Sequence, residues 1–221
     1  MTGNVIAIDG PAGAGKSTVA KILAQKLGYL YIDTGAMYRA VALCAIRSKI
    51  AFDDEAGLKD ICDGIKIRLE SSVDGYKVFC NDEDVTLEIR TPEVSAAASP
   101  VSAAHSVRTA MVSQQRLMSE QSNVIMDGRD IGTNVFPDAD HKIFLTASLN
   151  ERAHRRTLEL HVKGFNISEE QVAKDLAERD FRDSNRDFAP LKKAEDALEI
   201  DSTSLAVDEV VSKIIKIVAG E

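Results

Sequence analysis

Residues 10–17 read Gly10-Pro11-Ala12-Gly13-Ala14-Gly15-Lys16-Ser17 and directly follow the apolar run Val5, Ile6, Ala7, Ile8, which closes in Asp9. A buried strand, a glycine-rich turn and a helix opening on Lys-Ser form the G-x-x-x-x-G-K-S phosphate loop. A polyphosphate needs backbone N–H groups aimed at it with no side chain in the way, and glycines leave that approach open. The positive end of the following helix and the Lys16 ammonium add charge of the right sign. The Ser17 hydroxyl is placed to hold a Mg²⁺ that bridges the phosphates. A glycine-rich turn without a ligand is the plain structural alternative.

That loop fixes the fold class once the rest of the chain is read with it. Short apolar runs alternate with helical patterns, as in a parallel sheet covered by helices, an α/β fold. Candidate strands are Val5 to Asp9, Tyr29 to Asp33, Val124 to Asp127, Lys142 to Thr146 and Leu198 to Asp201, which predicts a three-layer P-loop architecture around five parallel strands. Four of them end in aspartate, at Asp9, Asp33, Asp127 and Asp201, where strand ends border a ligand crevice. Turn and cap preference accounts for some of these. Val19, Ile22, Leu23 and Leu27 make one helical stripe ending at Gly28, and Val207, Val210, Val211, Ile214, Ile215 and Val218 make another.

Two stretches interrupt the alternation. From Ile65 to Val85 the residues follow a period of two around turns at Asp74-Gly75 and Asn81-Asp82, an antiparallel hairpin inserted before the third core strand. From Asn150 to Pro190 runs a charged helical stretch with Gly164 at its middle. The expected division is a core of about 1–36, 105–150 and 191–221, a lobe of about 37–104 carrying the hairpin, and a lid of about 151–190.

A chain of 221 residues with 44% apolar content can bury its own core. The net charge of -8 argues against a general nucleic-acid surface. Ten of its 27 basic residues nevertheless fall between Arg152 and Lys193. The three cysteines, Cys44, Cys62 and Cys80, lack C-x-x-C spacing and fit reduced thiols in a cytoplasmic protein. Cys44 reads as core packing. No signal peptide or membrane span is expected.

The remaining motifs narrow the chemistry. No Lys has Asp two residues on, which removes the guanine-reading motif of regulatory GTPases, and the only D-x-x-G, Asp54 to Gly57, lies in a polar stretch. Asp33-Thr34-Gly35-Ala36-Met37-Tyr38-Arg39 opens a helix that Thr34 can cap and on which Arg39 can reach an anion. Asp127-Gly128-Arg129-Asp130-Ile131-Gly132-Thr133 puts a phosphate donor, Arg129, and an acceptor for an amine or hydroxyl, Asp130, at a strand end. Their mutual ion pair is the alternative. Arg179, Arg182 and Arg186, spaced three and four apart, would share a helical face that makes sense if an anion meets it. Asp183 can pair with Arg179, while Arg152, Arg155 and Arg156 offer a second basic edge on the lid. Two phosphate sites imply phosphoryl transfer between two phosphorylated substrates.

With these motifs assembled, the chain resembles the bacterial cytidylate kinases of the nucleoside monophosphate kinase group over nearly its full length, including Phe136-Pro137-Asp138-Ala139 and Asp201-Ser202-Thr203. The resemblance implies ATP as donor, bound by Gly10, Pro11, Ala12, Gly13, Ala14, Gly15, Lys16, Ser17 and Thr18, with Mg²⁺ at Ser17. It implies CMP or dCMP as acceptor and UMP as a poorer one. By position, Thr34, Arg39, Arg129 and Arg186 would hold the acceptor phosphate, and Arg179 and Asp183 its ribose. Ser99, Arg108 and Asp130 would read cytosine, and Tyr38 would line the pocket. Lys16, Arg129, Arg179 and Arg186 would carry the transition-state charge. A monomer is implied, with no nucleic-acid or membrane partner. Asn134 and His105-Ser106 depart from the family pattern, and neither is expected to touch a proposed role. The rival readings are a kinase of UMP, AMP or a small hydroxyl acceptor such as shikimate, and a nucleotide-gated binding protein. The polar character of both inserts speaks against the last.

Overall fold

The computed structural model of the protein describes residues 3–72, 75–120 and 122–220. The chain forms two compact units, Met1–Tyr31 with Gln121–Glu221, and Ile32–Glu120. Residues 32–36 and 105–120, counted with the core in the expectation above, group with the second unit.

The first unit starts with β1 (Val5–Asp9), buried along its whole length. The phosphate loop then leads into α1 (Lys16–Leu27), which stops at Gly28. That glycine takes φ 70° and returns its N–H to the Ala24 carbonyl, as the stripe ending there predicted. The chain passes from the first unit to the second within β2 (Leu30–Asp33). In the second unit α2 (Thr34–Ser48) follows with no linker, then α3 (Glu55–Gly64), β3 (Ile67–Ser72), β4 (Gly75–Cys80), β5 (Glu83–Asp84), α4 (Pro92–Val101) and α5 (His105–Ser119). The first unit resumes with β6 (Val124–Gly128), a π-helical turn over Ile131–Val135, β7 (His141–Thr146), α6 (Leu149–Val162), α7 (Glu169–Asn185), β8 (Leu198–Asp201) and α8 (Val207–Ala219).

The five-stranded parallel sheet has the order β2-β6-β1-β7-β8. β1 is central, with Ile6 opposite Ile125 and Asp9 opposite Gly128 on one side and Phe144 on the other. Chain order reverses around β1, so the loop after it lies at the switch point, outside the carboxyl ends of the strands. α8 docks through Val210, Val211 and Ile214, whereas Val207, expected in the same stripe, is exposed because it opens the helix.

In the second unit, β3, β4 and β5 form an antiparallel sheet in that order. Asn81 and Asp82 take φ of 48° and 67°, the left-handed pair a tight hairpin turn needs. The other expected turn includes Asp74, which lies outside the described residues. The Gln114 side chain on α5 ties the sheet down, accepting from Ile67 N–H and donating to the Ile65 carbonyl, both at 3.0 Å. Asp54 caps α3 by accepting from Gly57 N–H, so the D-x-x-G there is a helix start. α2 packs on α4, and α3 on α5. Among the described residues no helix is long and apolar enough to cross a membrane.

Gly10 and Gly28 both have positive φ, yet their surroundings differ. A Cβ on Gly10 would sit 1.9 Å from the Leu145 carbonyl oxygen, while one on Gly28 meets nothing within 4 Å. Gly28→Ala should therefore cost only the left-handed backbone penalty of about 1–2 kcal/mol. Gly10→Ala should cost several times that, read as the difference in urea midpoint at unchanged slope.

Candidate active site

All three glycines of the loop take positive φ. Gly10, Gly13 and Gly15 have φ of 147°, 79° and 89°. At Gly13 a Cβ would lie 3.1 Å from Arg152 Cβ and 3.3 Å from the Arg152 carbonyl oxygen, so α6 crosses directly over the turn. Ala12 is held on both polar groups. Its N–H donates to Asp180 Oδ1 at 3.2 Å, and its carbonyl accepts from Arg152 Nη1 at 2.9 Å. Arg152 and Asp180 pair with each other at 2.5 Å, and Arg152 Nε donates to the Ala147 carbonyl. The Ala12 methyl joins Ala153, Leu160, Val172 and Leu176 in one apolar cluster. The stretch expected as a lid thus shares its core with the loop.

Lys16 opens α1 and is 5% exposed, its ammonium donating to the Pro11 carbonyl at 2.6 Å. Burial, with Arg129 beside it, pushes its pKa down. The negative charge of a bound polyphosphate would oppose that shift and favour the charged ammonium. Ser17 Oγ donates to Asp127 Oδ2 at 2.9 Å, and Asp127 Oδ1 accepts from Tyr31 Oη at 2.7 Å. Asp9 accepts from the N–H groups of Ile131 and Gly132, both at 2.8 Å. Burial raises its pKa to about 6 against those hydrogen bonds. The four strand-end aspartates therefore have different roles. Asp9 caps the π-helical turn, Asp33 caps α2 through Ala36 N–H, and Asp201 caps its own turn through Thr203. Asp127 faces Ser17.

The second cluster in this unit follows β6. Arg129 Nε donates to Asp183 Oδ2 at 2.9 Å, with Arg179 Nε 3.9 Å from the same oxygen. Burial would raise the Asp183 pKa, but Arg129 and Arg179 outweigh it and hold the carboxyl below its ordinary range. Asp130, buried, pairs with Arg186 Nη2 at 3.4 Å and accepts from Asn134 Nδ2 at 3.0 Å. Each of the two neighbours Arg129 and Asp130 thus has a partner elsewhere in the chain.

Three expectations for this unit need correction. α7 ends at Asn185 and Arg186 is extended (φ -70°, ψ 145°), so Arg179, Arg182 and Arg186 do not share one helical face. Instead Arg186 donates to the Ala189 carbonyl and meets Asp130, while Arg182 is exposed. Arg152, Arg155 and Arg156 do not form a common basic edge either. Arg152 is buried under the loop, Arg155 donates to Glu151 and Ser202, and Arg156 to Glu159. Asn134 does touch a proposed role, through its contact with Asp130.

In the second unit, Asp33 rather than Thr34 is the N-cap of α2, and Thr34 is its first residue, buried. Arg39 pairs with Asp33 at 3.2 Å and its guanidinium lies over Gly35, where a Cβ would be 3.2 Å from Nη1. Arg108 on α5 is 1% exposed, donates to the Ser102 carbonyl, and lies 5.3 Å from the Tyr38 ring centroid. Ser99 on α4 is buried. At the other departure, Ser106 N–H donates to Glu55 at 2.6 Å, so a carboxylate caps the start of α5.

A family model described as cytidylate kinase matches residues 6–220. The chain belongs to the cytidylate kinase family. "Cytidylate kinase" of Halalkalibacterium halodurans is 57% identical over 210 residues, covering 95% of each chain. "Cytidylate kinase" of a Geobacillus strain is 55% identical over 219 residues, 99% of this chain and 98% of the relative. An uncharacterized protein from Eubacterium ventriosum, with 14% identity, a TM-score of 0.50 and 99% of both chains covered, shares the fold. In this cytidylate kinase family member the residues fit a hard divalent cation. Ser17 and Asp127 offer two oxygen donors in direct contact. Mg²⁺ prefers that arrangement, one or two protein oxygens with the rest of its shell left to phosphate and water.

Sequence reasoning missed Asp180 as a loop contact and Asp127 as the partner of Ser17. The second had a signal, an apolar strand ending in Asp at the switch point. The first had none, since 168 residues separate Asp180 from Ala12. Asp180→Ala should weaken ATP binding about tenfold by releasing Ala12, with CMP binding changed less than twofold, as titration calorimetry with each nucleotide would measure.

Proposed function

We propose that this protein transfers the γ-phosphoryl group of Mg-ATP to CMP or dCMP, giving CDP or dCDP and ADP. The observation that carries the reading is the second charged cluster of the first unit, in which Arg129, Arg179 and Arg186 meet Asp183 and Asp130. A site that only hydrolysed ATP has no need of it. Family membership supplies the acceptor class.

In this reading the loop N–H groups and Lys16 take the donor phosphates, Lys16 exchanging its Pro11 contact for phosphate oxygens. Ser17 and Asp127 would hold Mg²⁺, which neutralises charge on the donor phosphates. The family resemblance assigns Thr34, Arg39, Arg129 and Arg186 to the acceptor phosphate, the three arginines having planar guanidinium forks that match its oxygens. Asp183, kept ionised by its arginines, and Arg179 contact the ribose. The same resemblance assigns Asp130, Ser99 and Arg108 to cytosine, whose N4 amine donates where uracil O4 accepts. Tyr38 lines the acceptor pocket beside Arg108. Little covalent chemistry is asked of the chain. Positioning and neutralisation of charge spread over the transferring group supply the rate. The protein works as a monomer in the cytoplasm.

Incubation with Mg-ATP and CMP, dCMP, UMP, AMP or shikimate, following ADP release, tests the assignment, and equal or greater turnover of AMP or shikimate would sink it. Lys16→Ala should lower kcat by about 10²–10³ through loss of a transition-state charge. Near-normal kcat would remove Lys16 from catalysis. Asp130→Ala should lower kcat/KM at least about tenfold more for CMP than for UMP, because only cytosine offers the amine. Equal loss on both would make Asp130 purely a partner of Arg186.

A further inference from the structure

Cys44 on α2 and Cys80 at the end of β4 belong to the same unit, and their sulfurs stand 3.5 Å apart. The sequence, with no C-x-x-C spacing, gave no sign of this pair. Cys44 is half-buried and Cys80 buried behind it. The Cys80 hydrogen bond holds the Cys44 thiol below its ordinary range, with Arg47 one turn along α2 adding to it and burial opposing. The same hydrogen bond, with burial, pushes the Cys80 thiol up. The third thiol, Cys62 on α3, is buried and pushed up to about 11, first by burial. Reactivity follows thiolate character and access, so the accessible member of the pair is the one prepared to react.

We propose that Cys44 and Cys80 form a redox-responsive dithiol that closes to an intramolecular disulfide when hydrogen peroxide reaches Cys44. The Cys44 thiolate attacks one peroxide oxygen, and the O–O bond breaks. Hydroxide leaves and takes up a proton, leaving Cys44 as the sulfenic acid. Cys80 then gives up its proton and attacks that sulfur. The S–S bond forms, the S–O bond breaks and a second water departs. The two thiols together lose two electrons and two protons, and the peroxide is reduced to two waters. Closing requires the sulfurs to approach by roughly 1.5 Å, within the reach of side-chain rotation. The new bond ties α2, whose first two turns carry Thr34, Tyr38 and Arg39, to the hairpin sheet. A cytoplasmic thiol pool would reopen it.

The test exposes the reduced full-length protein to hydrogen peroxide, blocks remaining thiols by alkylation and maps the peptides by mass. The free thiols should fall from three to one. Cys44 and Cys80 should be joined with loss of two hydrogen atoms, Cys62 alkylated and dithiothreitol able to restore the starting state. The oxidised protein should melt several degrees higher, since the link removes freedom from the unfolded chain. In Cys80→Ser, dimedone should trap a sulfenic acid on Cys44, whereas in Cys44→Ser the Cys80 thiol should stay reduced. Three thiols that persist at a peroxide dose oxidising free cysteine would overturn the proposal. So would a bond to Cys62 or between two molecules, or equal oxidation of Cys80 in Cys44→Ser. Should either serine variant fail to fold, the map of the unmodified protein decides alone.

Discussion

A loop that aims its N–H groups at an anion cannot use the same groups to hold its own shape. In this protein the phosphate loop is therefore held from outside. Gly10 fits against the Leu145 carbonyl with no room for a Cβ, and Gly13 fits under Arg152. Arg152 and Asp180 bind the two backbone polar groups of Ala12, whose methyl is built into the apolar cluster between α6 and α7. One strand-end residue extends the same logic to the next turn. Asp9 binds two N–H groups of the π-helical segment, which starts one residue after Asp130.

Charge is the second constraint. Lys16, Arg129, Arg179 and Arg186 lie in one unit, and their mutual repulsion would be costly if the buried members had only each other. Each has a partner that a ligand can replace or share. Lys16 rests on a neutral carbonyl, and Arg129 and Arg179 converge on Asp183. Arg186 meets Asp130, which Asn134 also engages. These pairs order the side chains before any nucleotide arrives, so less freedom is lost on binding.

The local features were legible in the sequence because each depends on neighbours a few residues away. The strand before the loop, the Gly28 stop, the Asn81-Asp82 turn and the hairpin all formed where residue type and period indicated. The misreadings share a different cause. Extending the three-and-four spacing through Arg186 assumed a helix that ends at Asn185. Taking Arg152 for a surface arginine assumed that charge marks an exposed face, whereas its long side chain is consumed by backbone carbonyls and Asp180.

The sequence by itself determined that a phosphate loop follows a buried strand in an α/β chain, and that arginine-rich motifs accompany it, since these are matters of short-range pattern. The tertiary structure decided which acid serves which base, and that Asp180 and Arg152 support the loop. It also decided that Asp127 faces Ser17 and that Cys44 meets Cys80. Such pairings join residues between 28 and 168 positions apart, and sheet order and helix packing, rather than spacing along the chain, set those distances.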